Sequence, residues 1–148
     1  MKREISNVLL ADDDEDDRML FAEAVAELPL NLKFTTVNDG EALMRFLVQC
    51  NGALPCVLFM DLNMPRKNGF ECLKEIKRHE HLKQLSVVIY STSYETGIVD
   101  QLRQEGAQYY LRKPSQFEQL KQVIYDTLTQ IEKSDGVAPT SENFVIYS

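Results

Sequence analysis

The sequence predicts an α/β fold: a doubly wound parallel sheet with helices on both faces. Three observations predict it. Several apolar runs are short and continuous, as in Val8-Leu9-Leu10-Ala11 and Val57-Leu58-Phe59-Met60. A strand reads this way, rather than alternating, when both its faces are covered. Each run is followed by a stretch whose apolar residues recur at helical spacing. The two patterns alternate five times, as expected of parallel strands joined by right-handed helical crossovers.

The first strand is expected within Ile5 to Ala11, and six acids follow it. Phe21, Ala24, Val25 and Leu28 then mark a helix that Pro29 closes. Phe34-Thr35-Thr36-Val37 is the second strand, and Asn38-Asp39-Gly40 reads as a turn. Ala42, Leu43, Phe46 and Leu47 mark the second helix, which stops near Asn51-Gly52. The third strand is Cys56 to Met60, with a loop from Asp61 to about Asn68-Gly69. Phe70, Leu73 and Ile76 mark the third helix, and Val87-Val88-Ile89-Tyr90 the fourth strand. Ser91-Thr92-Ser93 ends that strand, with Ser93 able to cap the next helix. That helix carries Ile98, Val99 and Leu102, and Gly106 fits its left-handed stop. Tyr109-Tyr110-Leu111-Arg112 is the fifth strand, ended by Lys113-Pro114. Phe117, Leu120, Ile124, Leu128 and Ile131 pattern the last helix. Residues 1–133 are expected to form the domain and 134–148 a tail. The tail ends in the apolar stretch Phe144-Val145-Ile146-Tyr147, suited to docking on the domain or on a second copy as an added strand.

The chain has 148 residues, enough for one domain with a substantial core. Its net charge is -7, and the acidity is local: with the six consecutive acids at 12–17 set aside, 16 basic residues face the 17 acids that remain of 23. An acidic chain without a basic stripe excludes direct nucleic-acid binding as the first reading. Cys50, Cys56 and Cys72 have no CxxC spacing, so neither a disulfide framework nor a zinc site is expected, and buried free thiols are the reading. No apolar run is long enough to span a membrane, and the short run behind Lys2 and Arg3 is not a signal peptide. The expected location is the cytoplasm.

In an open parallel sheet, ligands bind outside the carboxyl ends of the strands, where strand order reverses. Four strands here end in polar residues of different chemistry: Asp12 and Asp13, then Asp61, then Ser91, then Lys113. Parallel strands bring all of these to one edge, and neighbouring strands lie about 4.8 Å apart. Clustered carboxylates repel, so a divalent cation or a proton must compensate them. Mg²⁺ fits best, because it takes one or two carboxylates, keeps several waters and accepts a phosphate oxygen. Lys113 adds a compact positive charge, and Ser91 a hydroxyl donor. A carboxylate nucleophile, a metal, an ammonium and a hydroxyl are together the parts that phosphoryl transfer needs.

Leu9-Leu10-Ala11-Asp12-Asp13, Met60-Asp61-Leu62-Asn63-Met64-Pro65 with Asn68-Gly69, Ile89-Tyr90-Ser91-Thr92 and Tyr110-Leu111-Arg112-Lys113-Pro114 resemble the receiver domain of two-component response regulators. The resemblance covers about residues 5–131. It implies a five-stranded, flavodoxin-like sheet of order 2-1-3-4-5. It makes Asp61 the phosphoacceptor and gives Mg²⁺ to Asp13, Asp61 and the Asn63 carbonyl, with Asp12 beside the metal. It has Lys113 pair with the acids and then with the phosphoryl group, has Ser91 move onto a phosphoryl oxygen, and has Tyr110 change rotamer with Ser91. Asn63 and Ser93 match positions that tune phosphoryl lifetime, and Lys113–Pro114 is the cis candidate. Ser91 in place of the commoner Thr, and Asn68 in place of a frequent Asp, are the departures. The implied function is a stand-alone receiver phosphorylated by a sensor histidine kinase or a phosphotransfer protein. It would assist its own phosphorylation and dephosphorylation but turn over no separate metabolite. A partner protein, a homodimer or onward transfer would read its state.

Blander readings stand beside these. Asp14 to Asp17 suit a solvated helix start. Tyr110, in an edge strand, suits packing. His79 and His81 lie in a polar linker and read as surface residues. An EF-hand is excluded because Asp17 sits where the loop needs glycine. No GxxxxGK loop appears, and Asn63 replaces the second acid of a DxD phosphatase nucleophile. A metal-dependent phosphohydrolase and a phosphorylation-independent interaction module remain the rival classes.

Overall fold

The computed structural model describes residues 5–50, 54–92, 95–134, 139–140 and 143–146. The chain runs β1 (Asn7–Ala11), α1 (Glu15–Ala26), β2 (Lys33–Val37), α2 (Gly40–Gln49), β3 (Val57–Met60), α3 (Gly69–Arg78), β4 (Ser86–Ser91), α4 (Thr96–Gln104), β5 (Tyr109–Arg112), α5 (Phe117–Ser134) and β6 (Val145–Ile146). The strands form one sheet of order β2-β1-β3-β4-β5-β6, with every pair parallel. Strand order therefore reverses at β1 and β3, which are neighbours.

The continuous apolar runs have the expected cause. All four residues of β3 and all six of β4 are buried, because helices cover both sides of the sheet. Alternate side chains go to opposite faces. Leu9, Leu58, Met60, Val87, Ile89 and Tyr110 share one apolar cluster with Leu43 and Leu47 of α2, Leu73 and Ile76 of α3, and Leu102 of α4. Leu10, Phe59, Val88, Tyr90 and Leu111 share the other with Phe21 of α1 and Leu120, Ile124 and Leu128 of α5. Phe21 anchors this second face, with its ring against Phe34, Phe59 and Tyr90 at centroid distances of 5.6, 5.0 and 5.3 Å.

Helix ends follow local chemistry. Asp14 caps α1 by accepting from the Asp17 amide at 3.0 Å. Asp39, which the sequence pattern places only in a turn, caps α2 by accepting from the Ala42 amide at 2.7 Å. Asn68 and Glu71 form a reciprocal capping box at the start of α3. Gly106 ends α4 with φ 108, the left-handed stop the sequence implies. The proposed stop at Asn51-Gly52 and the proposed cap at Ser93 lie outside the described residues.

Three expectations need correction. The tail docks on the domain as an added strand, one of the two sites expected for it, so the sheet has six strands instead of five and β5 is not an edge. Residues 145–146 pair with it in parallel, Tyr110 opposite Val145 and Leu111 opposite Ile146, and the Tyr110 amide donates to the Phe144 carbonyl at 3.0 Å. The cause is apolar: Phe144 is 1% exposed and enters the cluster that holds Tyr110, and pairing β5 leaves the short β6 at that edge of the sheet. Second, Lys113–Pro114 is not cis; the trans form of an X–Pro bond is favoured by only about 0.5–1 kcal/mol, so the two isomers are close in energy before the fold acts. Third, of the thiols only Cys72 is buried, Cys50 and Cys56 being half-buried, and all three are free. None of the described helices is long and apolar enough to cross a membrane.

Candidate functional site

Asp12 directly follows β1 and Asp61 directly follows β3. The sheet's own hydrogen bonding carries on past the strand ends to fix both: the Asp61 amide donates to the Ala11 carbonyl at 2.9 Å, and the Asp12 amide to the Val37 carbonyl at 3.1 Å. Neither carboxylate is free to swing into solvent. Asp12 is 0% exposed and Asp61 7% exposed. Asp13 is exposed, yet one oxygen of each of Asp12, Asp13 and Asp61 lies within 4.8 Å of the others.

Lys113 follows β5, two strands away from β3 and three from β1. Its amide donates to the Ser91 carbonyl at 2.9 Å, which holds its backbone at the strand end. Its long stem then crosses the sheet edge with Nζ 5.1 Å from the centre of the Tyr90 ring. The ammonium donates to Asp12 Oδ2 and Asp17 Oδ2, each at 2.8 Å, and to Asp61 Oδ2 at 3.3 Å. One cation thus serves three acids in a nearly dry place. Burial works against the charge on Lys113, but the bonds to Asp12 and Asp17 and the charge on Asp61 more than reverse this, and its pKa is raised. Asp61 moves the other way from a normal carboxylate. Burial, reinforced by the neighbouring Asp12 charge, pushes it up to about 6, against the pull of Lys113 and the Asn63 amide.

Asp17 is the residue that sequence reasoning misses. Its neighbours Asp14, Glu15 and Asp16 are exposed, as a solvated helix start requires, but Asp17 is half-buried against Lys113. A usable signal is present: side chains in a helix lean toward its N-terminus. The third residue of α1 therefore leans back over the end of β1, where the Asp12-Asp13 pair sits. Arg18, the next residue, donates to the Asp12 carbonyl at 2.7 Å and ties the helix to the strand end.

The remaining predicted residues fall around this cluster. The Asn63 amide donates to Asp61 Oδ1 at 3.3 Å, so the loop after β3 bends back on its own carboxylate. Ser91 is fully buried at the end of β4, on the same sheet face as Tyr110 of the adjacent strand, which is 1% exposed; burial raises the pKa of the Tyr110 phenol and the Ser91 hydroxyl works against it. His79 and His81 lie at or near the surface beyond α3, as expected. Ser93 is outside the described residues.

Gly69 shows how tightly the loop is folded. A Cβ at Gly69 would stand 2.5 Å from the Asp61 carbonyl oxygen and 2.8 Å from Leu62 Cα. Both are backbone atoms, which cannot swing aside. Gly69→Ala is therefore expected to destabilise the fold by about 1–3 kcal/mol. Gly97 in α4 has nothing within 4 Å of its would-be Cβ, and Gly97→Ala is expected to be neutral or to stabilise by about 0.4–1 kcal/mol. Denaturant unfolding of the two variants checks the contrast; equal effects would contradict the close approach.

The donor set suits a small hard dication. Among the described residues three carboxylates converge while one ammonium, that of Lys113, pairs with two of them, and every candidate ligand is an oxygen. With Lys113 on one Asp12 oxygen and one Asp61 oxygen, such an ion would take the exposed Asp13 carboxylate and the second Asp61 oxygen, which also accepts from the Asn63 amide.

The response regulator receiver domain family matches residues 8–125. The response regulator Rcp1 of Synechocystis is 31% identical over 121 residues, 79% of this chain and 82% of that one. The crystal structure of the phosphorylated cyanobacterial phytochrome response regulator RcpA superposes with a TM-score of 0.79 at 29% identity, over 93% of this chain and 100% of that one. The Mn²⁺-bound form of Rcp1 superposes with a TM-score of 0.72 at 28% identity, over 91% and 97%.

Proposed function

The chain belongs to the response regulator receiver domain family, and on that premise we propose that Asp61 accepts a phosphoryl group from a phosphohistidine on a sensor histidine kinase or a histidine phosphotransfer protein. The observation that carries this reading is the Lys113 ammonium, bonded at once to Asp12, Asp17 and Asp61 at the switch point of the sheet. An Asp61 carboxylate oxygen attacks phosphorus, the P–N bond of the donor breaks, and the released imidazole takes up a proton. The product is an acyl phosphate on Asp61. Lys113 turns from the carboxylates to a phosphoryl oxygen, and Ser91 donates its hydroxyl to another. Asp13, Asp61 and the Asn63 carbonyl would hold Mg²⁺, with Asp12 beside it; the ion supplies compensation for charge on the phosphoryl oxygens. That the similar protein Rcp1 has a Mn²⁺-bound form supports the reading that this chain takes a divalent ion. Water attack at phosphorus later restores the carboxylate, so the chain assists its own phosphorylation and dephosphorylation and turns over no separate metabolite.

Residues 1–133 act as the receiver and 134–148 as a tail, in the cytoplasm, with the state read by a partner protein, by a homodimer or by onward phosphotransfer. RcpA is by name the regulator of a cyanobacterial phytochrome, and the likeness to it spans 93% of this chain. A phytochrome-type histidine kinase is therefore the first donor to test.

The experiment is intact-mass measurement after incubation with Mg²⁺ and a small acyl-phosphate donor. The expected result is one phosphoryl group per chain, absent in Asp61→Asn and absent when EDTA replaces Mg²⁺. Many phosphates released per chain from a simple phosphate monoester, which does not phosphorylate a carboxylate, would favour the phosphohydrolase. No adduct under any condition would favour the interaction module.

A further inference from the structure

We propose that Phe144 is a positioning residue for Ser91, acting through Tyr110, so that docking of the tail and phosphorylation of Asp61 favour one another. This rests on Asp61 being the phosphoacceptor and goes beyond it, because it brings the tail into the chemistry. The chain of contact is continuous. Ser91 is fully buried at the end of β4, two residues beyond Ile89, which stands opposite Tyr110 in the sheet, so Ser91 and Tyr110 share one face of adjacent strands, and the Ser91 hydroxyl lowers the pKa of the phenol against the effect of burial. Tyr110 is buried on the face of the sheet that carries α4, in one apolar cluster with Val99, Leu102, Ala107 and Phe144. The Tyr110 amide donates to the Phe144 carbonyl, and Val145 stands opposite Tyr110 in the sheet. Phe144 is the one tail side chain in the core's fully buried set among the described residues.

Hydroxyl chemistry gives the sign. Ser91 has one proton and two lone pairs, and the Tyr110 phenol likewise both donates and accepts. Once a phosphoryl group is on Asp61, Ser91 must give its proton to it. It can bond to Tyr110 as well only if the phenol is the donor, and this requires Tyr110 to stay inside. Phe144 packs into the cluster that holds Tyr110 there. Without Phe144 the cost of fixing Tyr110 falls on the phosphoryl-binding step, and Ser91 is held less firmly. Among the described residues β6 is two residues long and is paired on one side only, so its own docking is weak enough for the site to shift it. Linkage then requires that phosphorylation tighten the tail by the same factor.

The test titrates the full-length chain with beryllium trifluoride in Mg²⁺, read by fluorine NMR, and follows amide exchange at residues 145–146. Wild type is expected to bind and to gain protection there on binding. Phe144→Ala is expected to lose about fivefold or more in affinity, within the usual range of coupling between sites. Phe144→Leu, which keeps an apolar side chain, is expected to recover most of it. In a Tyr110→Phe background, where the phenol is gone, Phe144→Ala is expected to have little further effect. Equal affinities for wild type and Phe144→Ala, with unchanged exchange at 145–146, would overturn the coupling while leaving the phosphoacceptor reading intact. A wild type that does not bind, or an Asp61→Asn variant that does, would overturn both.

Discussion

Lys113→Met is expected to destabilise the protein by about 3–5 kcal/mol in metal-free buffer at pH 7, the range for removing one partner of a buried ion pair. Asp12 is fully buried and Asp61 nearly so, and both have Lys113 as their cationic partner. The methionine fills the space of the stem over Tyr90 but leaves three carboxylates facing one another. The lost attraction also raises Asp61 further, since Lys113 is the main influence holding it down against burial. Mg²⁺ is expected to restore part of the stability, because a dication compensates the same acids. Urea unfolding with and without Mg²⁺ reads both effects. A loss under about 1 kcal/mol, the size of a surface ion pair, would contradict the dry, shared ammonium described above.

Asp61→Asn is expected to act in the opposite direction, and this is the second large effect. The Asp61 carboxyl sits near pKa 6 when folded, against an ordinary value of 3.8. Its folded pKa is thus raised, so the folded chain holds this proton more tightly than the unfolded one. Below pH 4 the group is protonated in both states and costs nothing. From pH 4 to 6 the unfolded chain releases the proton first, and stability falls as pH rises. Above pH 6 the full cost is present, about two pKa units or about 3 kcal/mol. The neutral amide of the variant carries no such cost. Without metal, Asp61→Asn should therefore be more stable than wild type by about 3 kcal/mol at pH 7, with the difference shrinking to nothing near pH 4. Paired urea titrations across that range check it. A variant less stable than wild type at pH 7 would mean that Lys113 outweighs burial at this carboxyl.

These two residues have opposite effects because one is the shared solution to a problem the other helps to create. The sequence carries much of that logic. Val57 to Met60 is apolar throughout and then stops at Asp61, and a fold that buries such a strand on both faces also sends its end to the edge where β1, β4 and β5 finish. Asp12, Asp13, Ser91 and Lys113 are legible for the same reason, since each lies at a strand end. Asp17 is harder because its role depends on how α1 leaves β1, which no strand pattern encodes. The capping by Asp39 is hidden because a turn and a helix start use the same residues. The docking of β6 is legible as apolar residues in a polar tail, but its site on β5 is not, because a two-residue strand has no period from which to read a register. The trans bond at Lys113–Pro114 escapes a sequence reading because no feature there separates the two isomers.

The most direct test of the account is to trap the acyl phosphate by borohydride reduction after Mg²⁺-dependent phosphorylation and to map the altered residue by peptide sequencing. Reduction converts a phosphorylated aspartyl carboxyl to an alcohol and leaves free carboxylates untouched, so it marks the acceptor itself. The account predicts the mark on Asp61 alone. A mark on Asp12 or Asp13, or a stable phosphoryl group on Ser91, His79 or His81 with Asp61 unmodified, would contradict it.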